Sequence, residues 1–219
     1  MHTREGLVPI EKIKVGDWVL SQSEQVGELT YKQVEETFVN DSAEVWLVEY
    51  RVADQSYESW DDFDNWKWAD EWMPKDENNE LEIGYFVATS NHPVWLKGVG
   101  WARVDQISWS LNEGSSVLLT KDGRSLVVHD SRILYQSAQE GIGFAFSPAT
   151  GDPGPFVDWR DDKLVFSELS QKNIDLAMRK RDFLEHPANL RVHGISVAEF
   201  STYYIGKEGI WVHDTIGSS

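Results

Sequence analysis

A chain of 219 residues that is 41% hydrophobic and 12% aromatic can bury a core and lacks the composition of a disordered polymer. A formal net charge of −17 argues against nucleic acid and anionic membranes as partners, and no apolar run reaches the length of a membrane span. With no cysteine, disulfides, thiolate metal sites and a cysteine nucleophile within the chain are excluded. No signal-peptide pattern opens the sequence, so a cytoplasmic protein, or one exported as part of a larger polypeptide, is expected.

Residues 7–20 read as a short strand, a step at Pro9-Ile10-Glu11-Lys12-Ile13, and a turn at Gly16-Asp17 that feeds Trp18-Val19-Leu20. Tyr31 to Phe38 and Glu44 to Val52 follow as strands around an Asn40-Asp41-Ser42 turn signal, which predicts a hairpin. In the second strand Val45, Leu47 and Glu49 share one face, and Trp46, Val48 and Tyr50 the other. Composition then shifts abruptly. Residues 54–80 hold ten Asp or Glu against Lys67 and Lys75, together with Trp60, Trp66, Trp68 and Trp72. Trp60, Phe63, Trp66, Ala69 and Trp72 recur every third residue and predict one helical face. Two uses are open to this stretch: packing onto its own sheet, or docking a basic protein partner.

Strand character resumes at Leu81 to Val87 and runs into a polar corner, Thr89-Ser90-Asn91-His92, closed by Pro93. Pro93 donates no backbone hydrogen bond and biases His92 toward an extended backbone. Lys97 to Gly100 is a turn. Val104-Asp105-Gln106-Ile107 then echoes Ile10-Glu11-Lys12-Ile13, each quartet followed by a Gly-containing turn and a hydrophobic run. Thr120 to Arg124 predicts a hairpin joining Val117-Leu118-Leu119 to Ser125 to Val128, and Ile133 to Tyr135 begins another strand. Pro148 to Pro155 reads as loop, and Ser167 to Glu185 as a helix capped by Ser167 or Ser170 and stopped by Pro187. Two last strands flank the Gly206-Lys207-Glu208-Gly209 turn, and His213-Asp214-Thr215 follows.

The opening from Thr3 to Leu20, the Thr89 to Pro93 corner and the His213 to Thr215 ending resemble, in this order, the Hint family. This is the self-processing module of inteins, Hedgehog C-terminal domains and bacterial polymorphic toxins. Asn91-His92-Pro93 is the form common in toxin-linked members, so the pre-toxin branch is the closest resemblance. It implies a mostly β, horseshoe-shaped fold with pseudo-twofold symmetry, one domain over 1–219. Two inserts would decorate it, the acidic, Trp-rich 54–80 and a loop-plus-helix 138–190.

The resemblance also implies single-turnover autoproteolysis with no cofactor and no metal, the substrate being the chain's own flanking polypeptide. Thr89 and His92 match the family's Thr-x-x-His donor to an upstream peptide. His213, Asp214 and Thr215 match the penultimate His, the cyclising residue and the acceptor hydroxyl. Three departures stand beside these matches. The family's nucleophilic Cys or Ser, several residues before the position of Met1, has no counterpart. Ser201 stands where a His is usual, and Asp214 replaces Asn, so that closure passes through a strained anhydride rather than a succinimide. Full splicing by these residues alone is not expected. The competing expectation is a catalytically degenerate Hint fold that binds a basic toxin or delivery partner. His129, His186 and His193 read as surface or cap histidines without zinc-ligand spacing.

Overall fold

The computed structural model describes residues 1–25, 27–52, 83–107, 109–110, 114–147, 151, 153–161, 163–167 and 183–214. Among them strands dominate, and helix is confined to 3-10 turns at Ile10–Lys12, Val104–Gln106 and Phe183–Glu185. The first strands are β1 (His2–Thr3), β2 (Gly6–Leu7), β3 (Trp18–Gln22) and the long β4 (Leu29–Val52). Then come β5 (Ile83–Thr89), β6 (Pro93–Leu96), β7 (Gly100–Arg103) and the small pair β8 (Trp109–Ser110) and β9 (Gly114–Ser115). The middle of the chain forms β10 (Val117–Leu119), β11 (Ser125–Gln136), β12 (Ile142–Phe146), β13 (Pro153–Asp158) and β14 (Val165–Ser167). The last three are β15 (Asn189–Val197), β16 (Thr202–Ile205) and β17 (Ile210–His213). One antiparallel path runs β16-β17-β6-β10-β11-β4-β3-β1-β2, with β5, β7 and β12 to β15 paired off it.

The spine of this path is β4, and the hairpin expected at Asn40-Asp41-Ser42 does not form. The two halves of β4 find other partners instead: the first pairs with β3 and β15, the second with β5 and β11. The turn residues are used in a bulge. Asn40 lies opposite Val192 and Ala43 opposite Leu190, so Asp41 and Ser42 together face Arg191. The Asn40 carboxamide oxygen accepts the Ser42 N–H at 3.0 Å, and Asp41 pairs with Arg191 at 3.2 Å.

Alternation along the second half of β4 feeds two cores. Val48, Tyr50 and Val52 pack with Val19, Val34, Val94, Leu118, Leu126, Tyr203 and Val212. Val45 and Leu47 pack on the opposite side with Leu134, Ala145, Val157 and Leu190. Each fully buried Val or Leu contributes about 1.5–3 kcal/mol, so this two-sided burial fixes the register of β4. Glu49 shares the second face. Its buried carboxylate lies 3.9 Å from Arg132 Nη1 and 3.9 Å from His129 Nε2.

The described part of 138–190 adds strands where a loop and helix were read. The β12-β13-β14 meander extends from β11, and Phe144, Phe146 and Phe156 cluster there with Tyr135. Pro153 and Pro155, read as loop, lie in β13; Pro155 sits at the register break between Phe144 and Phe146, where a missing N–H breaks no ladder. Ser167, read as a helix cap, ends β14 opposite Phe156. The body of that helix, residues 168–182, and the helical face of Trp60 to Trp72 lie outside the described residues. No helix among the described residues is long and apolar enough to cross a membrane.

Candidate functional site

Thr89 ends β5 and Pro93 opens β6, so the polar corner links two consecutive strands, β5 pairing with β4 and β6 with β7, β10 and β17. The His92 N–H donates to the Thr89 carbonyl at 3.1 Å and closes the turn. The turn is clamped from its other side by the second of the two echoing quartets. Both quartets form 3-10 turns followed by a buried isoleucine, Ile13 or Ile107. The Val104 N–H donates to the His92 carbonyl at 3.1 Å, and the Asp105 N–H to the Ser90 carbonyl at 3.0 Å. Ser131 Oγ in turn donates to the Val104 carbonyl at 2.8 Å.

Val94 in β6 pairs with Val212 in β17, which carries the end of the chain to this corner. Along β17, Ile210 and Val212 enter the core, so Trp211 and His213 take the opposite face. Asp214 follows and is 6% exposed. Its N–H donates to the Ser201 carbonyl at 2.7 Å, and its Oδ2 accepts the Val197 N–H at 3.3 Å. The cradle is a tight turn in which Glu199 and Ser201 adopt φ of 65° and 54°, a left-handed backbone that non-Gly residues hold only under surrounding constraint.

His213 Nδ1 lies 2.7 Å from the Asp214 carbonyl oxygen and 3.4 Å from Asp214 Oδ1. A carbonyl oxygen only accepts, so Nδ1 carries the proton and the neutral ring keeps its lone pair on Nε2. The Asp214 side chain holds the His213 proton more firmly than usual; burial opposes this, while the Asp214 carbonyl and the charges of Asp214 and Glu24 add to it. His92 moves the other way. Burial, and after it the charge of a protonated His213, bring it down to about 4, with Asp214 partly opposing. One corner therefore holds two imidazoles whose proton affinities are pushed apart, His92 down and His213 up.

Tyr203 belongs to this constellation, although the sequence marked it only as strand. Its ring centroid is 6.4 Å from that of His92, and burial followed by the Asp214 charge pushes its hydroxyl up, so it stays a donor. His92, His213, Asp214 and Tyr203 are thus brought together. Thr89 joins them through the turn backbone, and Thr215 lies outside the described residues. His129 sits at the β11 bulge, lowered to about 4 by burial and then by Arg51 and Arg132. His193 faces Val39 across β15 and β4, and His186 precedes Pro187. Among the described residues no group of three His, Asp or Glu converges as metal ligands.

The Pretoxin HINT domain family model matches residues 1–57. The solution structure of a bacterial intein-like domain from Clostridium thermocellum is similar over 98% of this chain and 93% of that one, at 19% identity and a TM-score of 0.51. A DnaB intein from Synechocystis sp. is similar over 99% of this chain and 94% of its own, at 14% identity and a TM-score of 0.47. No curated protein matches the chain. The fold is mostly β and intein-like.

Proposed function

We propose that the chain is a self-processing module of the pre-toxin Hint type, embedded in a larger polypeptide and cutting the peptide bond after Asp214. The observation that carries this reading is the 2.7 Å contact from His213 Nδ1 to the Asp214 carbonyl oxygen. A proton donor aimed at that oxygen stabilises the charge that develops when the carbonyl carbon is attacked. The attacking group is the Asp214 carboxylate. A C–O bond forms to its own carbonyl carbon, the bond to the Thr215 nitrogen breaks, and the departing amine takes up a proton. Water opens the resulting five-membered anhydride to free carboxylates. With Asn at this position an amide nitrogen attacks instead and closes a succinimide, the easier ring.

The upstream half of the reaction belongs to Thr89 and His92, whose corner would donate to the carbonyl of an incoming peptide. Thr3 in β1 faces Val19 in the antiparallel β3. Residues joined before Met1 and continuing β1 would run along β3 toward Gln22 and Glu24, the end that also faces His213. A second reading rests on Asp214 itself. Its anchoring by Val197 and Ser201 also suits a staple in a degenerate Hint fold that binds a basic partner through 54–80.

Intact-mass measurement over days separates the two readings. The fusion carries a Cys-led segment before Met1 and a reporter after Thr215, with Asp214→Asn and His213→Ala counterparts. Self-processing predicts reporter release that is at least about tenfold faster with Asn and at least about tenfold slower without the imidazole. If the unsubstituted and Asp214→Asn fusions both fold and neither releases the reporter, self-processing fails and the binding reading is left.

A further inference from the structure

The face of β17 opposite the core carries a group of indoles that the reaction above does not use. Trp95 and Trp101, paired across β6 and β7, meet edge to face at 5.0 Å; Trp211 lies 4.7 Å from Trp95 and 5.1 Å from Trp101. Tyr204 stacks on Trp211 at 6.4 Å. His213 continues this face, its ring perpendicular to Trp101 at 5.2 Å. Trp101 is half-buried, and its indole N–H, which can only donate, goes to Glu24 Oε1 at 2.7 Å. A carboxylate acceptor at that distance makes a charge-assisted bond. Glu24 lies just beyond β3, and the same strand end is tied to β16, because Thr202 Oγ1 donates to the Gln22 carbonyl at 2.7 Å and the Tyr204 hydroxyl donates to Gln22 Oε1.

We propose that Glu24 and Trp101 are a positioning pair that fixes the His213 imidazole against the Asp214 carbonyl. Asp214 holds Nδ1 on one side; Trp101 closes another, and Glu24 keeps Trp101 from turning. Without that wall the imidazole is free to rotate about its side-chain bonds, and the Nδ1–H donation is populated less. The charged and titratable groups facing His213 are Asp214 and Glu24, which favour its protonated form, and His92, which opposes it when charged. Glu24 itself is exposed, so replacing it leaves the core intact.

The inference rests on His213 acting at the Asp214 carbonyl, so its test reads the imidazole directly. The histidine-labelled chain of residues 1–219 is titrated by NMR as wild type, Glu24→Gln and Trp101→Phe, with His213→Ala for assignment. Wild type is expected to show a neutral ring protonated at Nδ1. Glu24→Gln keeps an acceptor for the indole but removes the charge, and the His213 midpoint moves to lower pH. Trp101→Phe lowers the Nδ1–H population and mixes the two neutral tautomers. In the reporter fusion, release by Trp101→Phe slows about tenfold, and its pH profile follows the NMR midpoint. An unchanged midpoint and tautomer in Glu24→Gln and Trp101→Phe overturns the pair even if the fusion cleaves. A shifted midpoint and mixed tautomers uphold it even if no fusion cleaves. If Trp101→Phe fails to fold, Glu24→Ala, which leaves the indole without its acceptor, is read instead: mixing of the two neutral His213 tautomers upholds the pair, and an unchanged tautomer overturns it.

Discussion

Burial at the Thr89 to Pro93 corner keeps His92 neutral down to about pH 4, whereas in the unfolded chain its proton binds near 6.5. Between those values the unfolded state holds more protons, so stability falls as pH drops through the window. His213 has the opposite sign: its raised folded value gives a contribution that is complete below 6.5 and lost as pH rises through that value. The difference between wild type and His92→Gln isolates the first effect. From pH 7 to pH 5 the wild type should lose about 2 kcal/mol more than the variant in urea unfolding. Parallel pH dependences in the two proteins would refute the assignment. His92, His213 and Asp214 were legible because each belongs to a short contiguous motif with its own turn chemistry. Tyr203, Glu24 and Trp101 were not, since their partners are set by which strand ends meet. The left-handed backbone of Ser201 was equally hidden, because nothing local to a serine demands it.

Within the strands, two glycines lie opposite aromatic rings and differ in what those rings can do. A methyl on Gly84 would overlap Tyr50, and one on Gly194 would overlap Phe38, each pair lying directly across from one another. Tyr50 is 3% exposed and donates its hydroxyl to the buried Glu208 carboxylate at 3.2 Å. Phe38 is 37% exposed and can swing outward. Gly84→Ala should therefore cost about 2–4 kcal/mol in denaturant unfolding, through overpacking and the lost hydroxyl bond. Gly194→Ala should stay within about 1 kcal/mol of wild type, since the clash is relieved at the surface and alanine restricts the unfolded chain. Equal costs would mean that the mobility of the facing ring does not govern them. The same elements show where sequence reading stops. The strand from Val45 to Tyr50 was readable because β-branched and aromatic residues fill it, and the period of two then sorts them onto two faces. The passage of β4 through Asn40-Asp41-Ser42 was not, because hairpin turns and bulges draw on the same residues. The distant strand β15 decides between them. Pro153 and Pro155 misled in the same way, marking a bulged strand rather than a loop.

Across the whole molecule the excess of negative charge is unevenly shared, with ten acidic residues against two lysines in 54–80. The composition shift marks this segment in the sequence, but tryptophan mixed with acid suits a packed element and a docking surface alike. The sheet supplies a way to separate them. Arg51 and Ile83 are paired residues of β4 and β5, so the described residues on either side of this segment lie at opposite positions of one antiparallel pair. A two-residue Asn-Gly turn has the twist to close such a pair. Replacing 53–81 with Asn-Gly, so that Val52 and Glu82 flank the turn in the register set by Arg51 and Ile83, should leave a cooperatively unfolding protein whose Tm lies within about 5 °C of wild type, a shift of about 1–2 kcal/mol. The gap to wild type should narrow or reverse at low salt, where relief of self-repulsion counts most. In the reporter fusion, release should persist, because β5, β6, β15, β16 and β17 hold His92, His213 and Asp214. Loss of cooperative unfolding would assign the segment to the core and remove the ground for a partner-docking role. Retained folding and release would free 54–80 for such a role, and binding of a basic protein could then be measured against the shortened chain.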